Sequence, residues 1–315
     1  MFIVDGHCDT LLKLFKNNES FWEEEINGHV NWRRLQKGKV ALQFMAIYIE
    51  PEYKRAGPLK RALEILDYFY HLQQAGKGKP LLVIKKEDLQ KLKKEQPSVL
   101  LAIEGGEALE GNLAVLRILF KLGIRSLTLT WNQRNELADG IWEEKTAGGL
   151  TSFGCQVVKE MNQLGMLIDV SHLSEKGFWD VLKFTQQPIA ATHSACYALR
   201  AHPRNLRDEQ LTALAQNQGI IGLNFYPLFL GSQSQVISLR NVIEHLEHAV
   251  SITGIDHVGL GSDFDGIAQV PLGLEDATKF PVIIEELLRL GWPESDVKKI
   301  MGGNFLRVLQ QVLPD

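Results

Sequence analysis

Six side chains that can bind a metal or move a proton stand where short apolar runs end: His7, Asp9, Glu104, His172, His193 and Asp263. His7 and Asp9 follow Phe2–Gly6, and a strand repeats its side-chain direction every second residue, so both project from one face. Their Cβ atoms then lie about 7 Å apart, close enough to share one ion. Imidazole and carboxylate together suit zinc or a similar divalent cation. Burying this many ionisable groups on one rim without a counter-ion is costly, because desolvation and like-charge repulsion add. A dication removes that cost.

The five donors His7, Asp9, Glu104, His172 and His193 exceed what one catalytic zinc takes from protein. Two ions sharing a carboxylate fit better. Glu104, from a strand between the two groups, is the natural bridge, with His7 and Asp9 on one ion and His172 and His193 on the other. Water between two ions about 3.5–4 Å apart becomes a hydroxide nucleophile near neutral pH. Asp263 is then the leading candidate to take and return a proton as general base and acid. Asp265 is the lower-ranked candidate for that role. Cys8 alternates with the ligands and should face away from the metals.

These residues need elements to hold them. Eight short apolar, β-branched runs are legible: Phe2–Gly6, Val40–Tyr48, Val99–Ile103, Ser126–Thr130, Met166–Val170, Pro188–Thr192, Ile220–Phe225 and His257–Gly261. Longer amphipathic stretches separate them. Asp9–Lys16 reads as a short helix and Asn17–Trp32 as a polar, irregular excursion. Pro58–Gln74 has apolar residues at helical spacing (Leu63, Leu66, Tyr68, Leu72). Asn112–Leu122 stops at Gly123 and Ser152–Leu164 at Gly165, both good C-cap residues. Glu175–Phe184 has Ser174 as N-cap. Asp208–Gln216, Leu239–Ile252, Lys279–Leu290 and Glu294–Val312 complete the helices. The lysine-rich Lys85–Lys94 reads as a solvated helix face. Strands this apolar fit a parallel sheet covered on its outside. A count of eight predicts a closed, TIM-like (β/α)8 barrel with its site at the C-terminal strand ends, in one domain over residues 1–315. No G-x-G-x-x-G follows a strand, which argues against a Rossmann fold.

The 315 residues are 45% hydrophobic and 23% charged, ordinary for a globular chain. A net charge of -4 gives no electrostatic reason to expect nucleic acid or an anionic membrane as partner. Cys8, Cys155 and Cys196 form no C-x-x-C pair and suit a reducing compartment. No run is apolar and long enough for a membrane span, and a strand beginning at Phe2 leaves no room for an export signal. These features predict a cytoplasmic protein.

Seven motifs in register now carry a resemblance: D-G-H-C-D-T at 5–10, A-I-E-G-G at 102–106, T-L-T-W-N at 128–132, D-V-S-H at 169–172, T-H-S at 192–194, R-N at 204–205 and G-S-D-F-D-G at 261–266. Together, and with the tail Gly303–Val308, the chain resembles the membrane (renal) dipeptidase family of zinc peptidases. The resemblance implies a TIM-like barrel of the amidohydrolase type. It implies two zinc ions (other divalent metals can substitute) and hydrolysis of dipeptides, often with a D-residue at the C-terminal position. By motif match, His7, Asp9 and Glu104 bind one zinc, and Glu104, His172 and His193 the other. Asp263 is the acid/base and Arg204 holds the substrate carboxylate, as a guanidinium fork does. Where the animal enzymes end the fourth-strand motif in a substrate-contacting histidine, this chain has Trp131. Trp131 and the neighbouring Asn132 become the residues at that substrate position. Lacking a leader and a hydrophobic tail, the chain resembles the soluble microbial branch, with a small peptide as partner and the homodimer question open. A metal-dependent phosphoester or other amide hydrolase is the alternative, though apart from Arg204 no basic cluster marks the rim. A metal-binding barrel without catalysis is a third reading.

Overall fold

A computed structural model describes residues 1–24, 26–146 and 148–315. Its strands are β1 (Ile3–Asp5), β2 (Val40–Tyr48), β3 (Leu81–Leu82), β4 (Ser98–Glu104), β5 (Ile124–Thr128), β6 (Leu167–Asp169), β7 (Ala190–Ser194), β8 (Ile220–Leu223) and β9 (Val258–Leu260), all parallel in one sheet. β1 pairs with both β2 and β9, and β2 pairs with β4 from Leu42↔Ser98 to Tyr48↔Glu104. That seam closes a ring of eight strands, the expected (β/α)8 barrel. β3, which the sequence did not suggest, is a two-residue strand that pairs with the edge of β4 at Ser98 and Val99, just before β5 takes up that edge at Leu101.

The inward face explains how one barrel can be dry at one end and charged at the other. Residues two and four apart on a strand share a face. Val4, Leu42, Phe44, Leu100, Leu167, Ala190 and Ile220 fill the lower interior and pack with Phe305, Val308 and Leu309 of the helix Asn304–Val312. Phe305 sits so close that a Cβ added at Gly6 would lie 2.5 Å from its ring. Further up those strands the inward positions turn polar: Glu104 stands four residues above Leu100, Asp169 two above Leu167, Thr192 two above Ala190 and Asn224 four above Ile220. All four are buried. The other faces meet the helices in a continuous apolar layer.

The helices largely follow the periodicity. Pro58–Ala75, Leu113–Lys121, Ser152–Leu164, Glu175–Phe184, Asp208–Gln216 and Leu239–Thr253 lie within a residue or so of expectation. Ser174 Oγ accepts from Gly177 N–H at 3.1 Å as N-cap, and Gly165 ends its helix with φ 76°. Differences occur where tertiary context decides. The lysine-rich segment yields only the four-residue helix Lys86–Leu89. A helix Trp32–Lys37, capped by Asn31 Oδ1 accepting from Arg34 N–H at 2.8 Å, follows the irregular excursion. The expected terminal helix breaks into Glu294–Lys298, a widened turn Lys299–Gly303, and Asn304–Val312. The break swings the chain under the barrel, where Asn304 Nδ2 donates to the carbonyls of Ile255 and Val258, both at 2.7 Å. Among the described residues no helix is long and apolar enough to cross a membrane.

Candidate metal centre

The five expected metal ligands and Asp263 converge at the C-terminal strand ends. β4 ends at Glu104, whose two carboxylate oxygens face opposite ways. Oε2 lies 3.6 Å from His7 Nε2, whereas Oε1 lies 3.0 Å from His172 Nε2 and 3.6 Å from His193 Nε2. On the first side, His7 Nε2 is 3.4 Å from Asp9 Oδ2 and 4.0 Å from Asp263 Oδ1. The first strand ends at Asp5, two residues short of His7. Its alternation nevertheless persists, because Cys8 N–H donates to Phe44 O at 3.0 Å and Cys8 O accepts from Ala46 N–H at 2.9 Å. Cys8 is buried in the apolar layer, away from the cluster, as expected.

Each histidine on the second side is held in one tautomer. Asn132 Oδ1, an acceptor, lies 2.6 Å from His172 Nδ1, so that nitrogen carries the proton. Asn132 therefore aims His172, a role beyond the substrate contact expected of it. His193 is set through a relay. Thr192 Oγ1 gives its one proton to Asp169 Oδ2 at 2.6 Å and therefore accepts from His193 Nδ1–H at 2.9 Å. Asp169 is fixed in turn by Thr128 Oγ1 at 2.7 Å, Ser171 N–H at 2.9 Å and Thr192 N–H at 3.0 Å. Both Nε2 lone pairs are thereby turned inward, as metal-binding histidines require. Thr192→Val is expected to weaken metal affinity about 10- to 100-fold, read by titration against a competing chelator, while Thr192→Ser keeps it. Wild-type affinity in the Val variant would dismiss the relay.

The donors fit a divalent cation. His172 Nε2 and His193 Nε2 face one another at 2.8 Å with both protons spent on the far nitrogens, an arrangement that repels unless a cation lies between the lone pairs. His7 Nε2 and Asp9 Oδ1 are buried without a hydrogen-bond partner among the described residues. The electrostatics show the same tension. Burial opposes charge on His7, yet the charges of Glu104 and Asp9 hold it well above its ordinary value. Burial, then the charge of Arg204, push His172 down to about 4, and burial with the charge of His7 holds His193 well below its usual range. Neutral imidazole is the form that binds metals. Burial and the charge of Glu104 raise Asp9 to about 7, a cost that a neighbouring dication would relieve.

A cavity of about 800 Å³ opens over the cluster, and Asp9, Tyr48, Glu104, Trp131, His172, Arg204 and Asp263 all reach it. Asp263 has φ 62° and accepts from Asn224 Nδ2 at 2.9 Å. Its strand ends at Leu260, so strand alternation does not set its direction. Asp265, which a continuing strand would have put on the same face as Asp263, points elsewhere, accepting from Thr10 Oγ1 and His29 N–H, each at 2.7 Å. Arg204 is 4% exposed. Its Nη2–H donates to His193 O at 2.9 Å, while its Nε–H has no partner among the described residues. β5 ends at Thr128, two residues earlier than expected, so Trp131 and Asn132 lie on the loop beyond it. The supporting residues Asn224, Asp169 and Thr192, with Asp5, escaped sequence reasoning. Asp5, bound to Ser262 N–H and Oγ at 2.7 and 2.6 Å, anchors the segment carrying Asp263. Each is a polar residue within or just past an apolar strand.

The chain matches the family model for membrane dipeptidase, peptidase family M19, over residues 1–313. Dipeptidase aclJ of Aspergillus oryzae is 34% identical over 328 residues, covering 98% of this chain and 78% of that protein. The crystal structure of dipeptidase AC, a family M19 metallopeptidase, superposes with a TM-score of 0.92 at 29% identity, covering 100% of this chain and 99% of that one. A metallopeptidase from Rhodobacter sphaeroides, liganded with a phosphinate mimic of the dipeptide L-Ala-D-Ala, gives a TM-score of 0.90 at 29% identity, covering 99% of each chain. With its barrel, its buried histidine–carboxylate cluster and a match from end to end, this chain belongs to the membrane dipeptidase family M19 and is a metallopeptidase.

Proposed function

We propose that this protein is a dinuclear zinc dipeptidase working as one catalytic domain over residues 1–315. The observation that carries this is the divided carboxylate of Glu104, one oxygen toward His7 and the other toward His172 and His193. His7, Asp9 and Glu104 would hold one zinc, and Glu104, His172 and His193 the other. Bound there, the cations would polarise the scissile carbonyl and lower the pKa of water toward neutrality. Asp263 takes the proton of the attacking water and returns it to the leaving amine. Arg204 receives the C-terminal carboxylate. Its burial concentrates the charge in a site of low dielectric and confines cleavage to very short peptides. Trp131 and Asn132 line the substrate side of the same cavity. The Rhodobacter sphaeroides relative, liganded with a mimic of L-Ala-D-Ala, supports acceptance of a D-residue at the C-terminal position.

The test is zinc content per chain together with turnover of a dipeptide panel that includes L-Ala-D-Ala. Two zinc ions with no dipeptide hydrolysed would overturn the proposal. Arg204→Ala should act chiefly on binding. Loss of a charged hydrogen bond, about 1.5–3 kcal/mol, raises KM roughly 10- to 150-fold with little change in kcat. Unchanged KM would remove Arg204 from this role.

A further inference from the structure

Three aromatic rings form one wall of the cavity over the cluster. Tyr48 and Trp131 have ring centroids 5.3 Å apart, Trp131 and Trp142 5.2 Å, and Trp131 lies 5.9 Å from the His172 ring. All three line the cavity, and Trp142 at its mouth is 61% exposed. The wall is firmly placed. Trp142 N–H donates to Asn132 O at 2.9 Å, and the preceding Ile141 N–H donates to His172 O at 3.0 Å. An exposed tryptophan continuing a row of rings is apolar surface awaiting a partner.

The barrel fixes which part of a substrate meets it. Tyr48 ends β2, Trp131 follows β5 and Arg204 follows β7. In the ring order β2–β4–β5–β6–β7, β7 is four strands from β2, which is diametrically opposite in a ring of eight. A dipeptide with its carboxylate on Arg204 and its peptide bond beside Glu104 therefore turns its N-terminal residue toward Tyr48 and Trp131.

We infer that Tyr48, Trp131 and Trp142 form the subsite for the N-terminal side chain, and that this enzyme favours dipeptides whose N-terminal residue is large, flat and apolar. The inference rests on the dipeptidase proposal above. It distinguishes this chain from relatives with histidine at the Trp131 position, since an indole offers apolar surface, stacking and one N–H donor but no nitrogen that can take a proton or a metal. Lys54 decides the sign of charge admitted. Its ammonium lies 4.7 Å from the Trp131 centroid and 5.4 Å from that of Tyr48, paired with Glu107 at 3.2 Å. A cation already stacked on these rings disfavours a second one, so N-terminal Lys and Arg are poor substrates.

The experiment compares Phe-Gly, Ala-Gly and Lys-Gly by kcat/KM in the zinc-loaded enzyme, and the corresponding phosphinate isosteres by calorimetry. Phe-Gly is expected to exceed Ala-Gly roughly 10- to 100-fold, a range typical of a filled apolar pocket, with Lys-Gly nearest the weaker of the two. Trp131→Ala should collapse the Phe/Ala ratio to within about threefold, and Trp131→Phe should restore most of it. Trp142→Ala, a surface change that the fold tolerates, should lower the same ratio in part. A wild-type ratio near one, or a ratio unmoved in both alanine variants, overturns the subsite. If no dipeptide turns over, the dipeptidase proposal falls. The isostere ratios then decide the subsite alone, a preserved Phe preference supporting it and an equal affinity ending it.

Discussion

Asp263→Asn is expected to lower kcat about 10²- to 10⁴-fold, the usual worth of a positioned acid/base, while zinc content stays near wild type. Asparagine is the clean replacement here. It keeps the shape that Asn224 grips at 2.9 Å, and it tolerates the left-handed backbone at φ 62°, which alanine would strain. The pH profile makes the assignment specific. Burial, reinforced by the charge of Glu104, pushes the Asp263 carboxyl up to about 6 in the metal-free protein. Bound cations would draw it back down. A base must be deprotonated to act, so kcat/KM should fall as pH drops through a limb at or below about pH 6, and the Asn variant should lack that limb. His7 Nε2 lies 4.0 Å from Asp263 Oδ1, so metal content is the necessary control. An Asn variant that loses one zinc would make Asp263 a ligand, and one that keeps a tenth of wild-type kcat would end its catalytic role.

The second large effect is expected at Glu104. Glu104→Gln preserves volume but removes the charge and replaces one oxygen with an NH2 group, which cannot bind a cation. Whichever way the amide turns, one of the two facing groups, His7 or the His172–His193 pair, meets a donor. Zinc content should fall below two per chain, and activity by at least about 10³-fold, since both the charge and the second ion are lost. The same variant should dull the response to chelators. Metal bound at 100 times its dissociation constant stabilises the wild type by about 2.7 kcal/mol, so chelation lowers its Tm, whereas the variant has less to lose. Two zinc ions retained by the Gln variant would refute the bridging role. A Tm equally sensitive to chelator in both proteins would argue the same way.

Much of this molecule is legible in the chain because a parallel barrel strand is buried on both faces. Against a run such as Val40–Tyr48, observed with the same limits as expected, a terminal Glu, His or Asp stands out. That contrast locates His7, Glu104, His172, His193 and Asp263. It fails for Asp169, Thr192 and Asn224, which lie within or just past strands and whose importance is a matter of which proton goes where. Proton direction depends on distances that only the folded barrel supplies. Strand alternation would put Asp263 and Asp265, two residues apart, on one face, and the structure does not. Their strand stops at Leu260, and two left-handed residues, φ 62° and 68°, aim them apart. The break at Lys299–Gly303 was likewise hidden, since an amphipathic period says which face is apolar but not that a helix must leave the outer layer to floor the barrel.

The seam between β2 and β4 has a consequence for how the protein is made. Its register runs unbroken from Leu42↔Ser98 to Tyr48↔Glu104, so the pairing that closes the barrel also sets the Glu104 carboxylate between His7 and the His172–His193 pair. A slip of one residue would turn Glu104 out toward the helices and leave the histidines without their shared partner. On the dinuclear proposal, metal retention would thus be an inspection stamp on the newly made chain. A molecule that closed out of step would be short of metal, less resistant to unfolding, and the first presented to proteases.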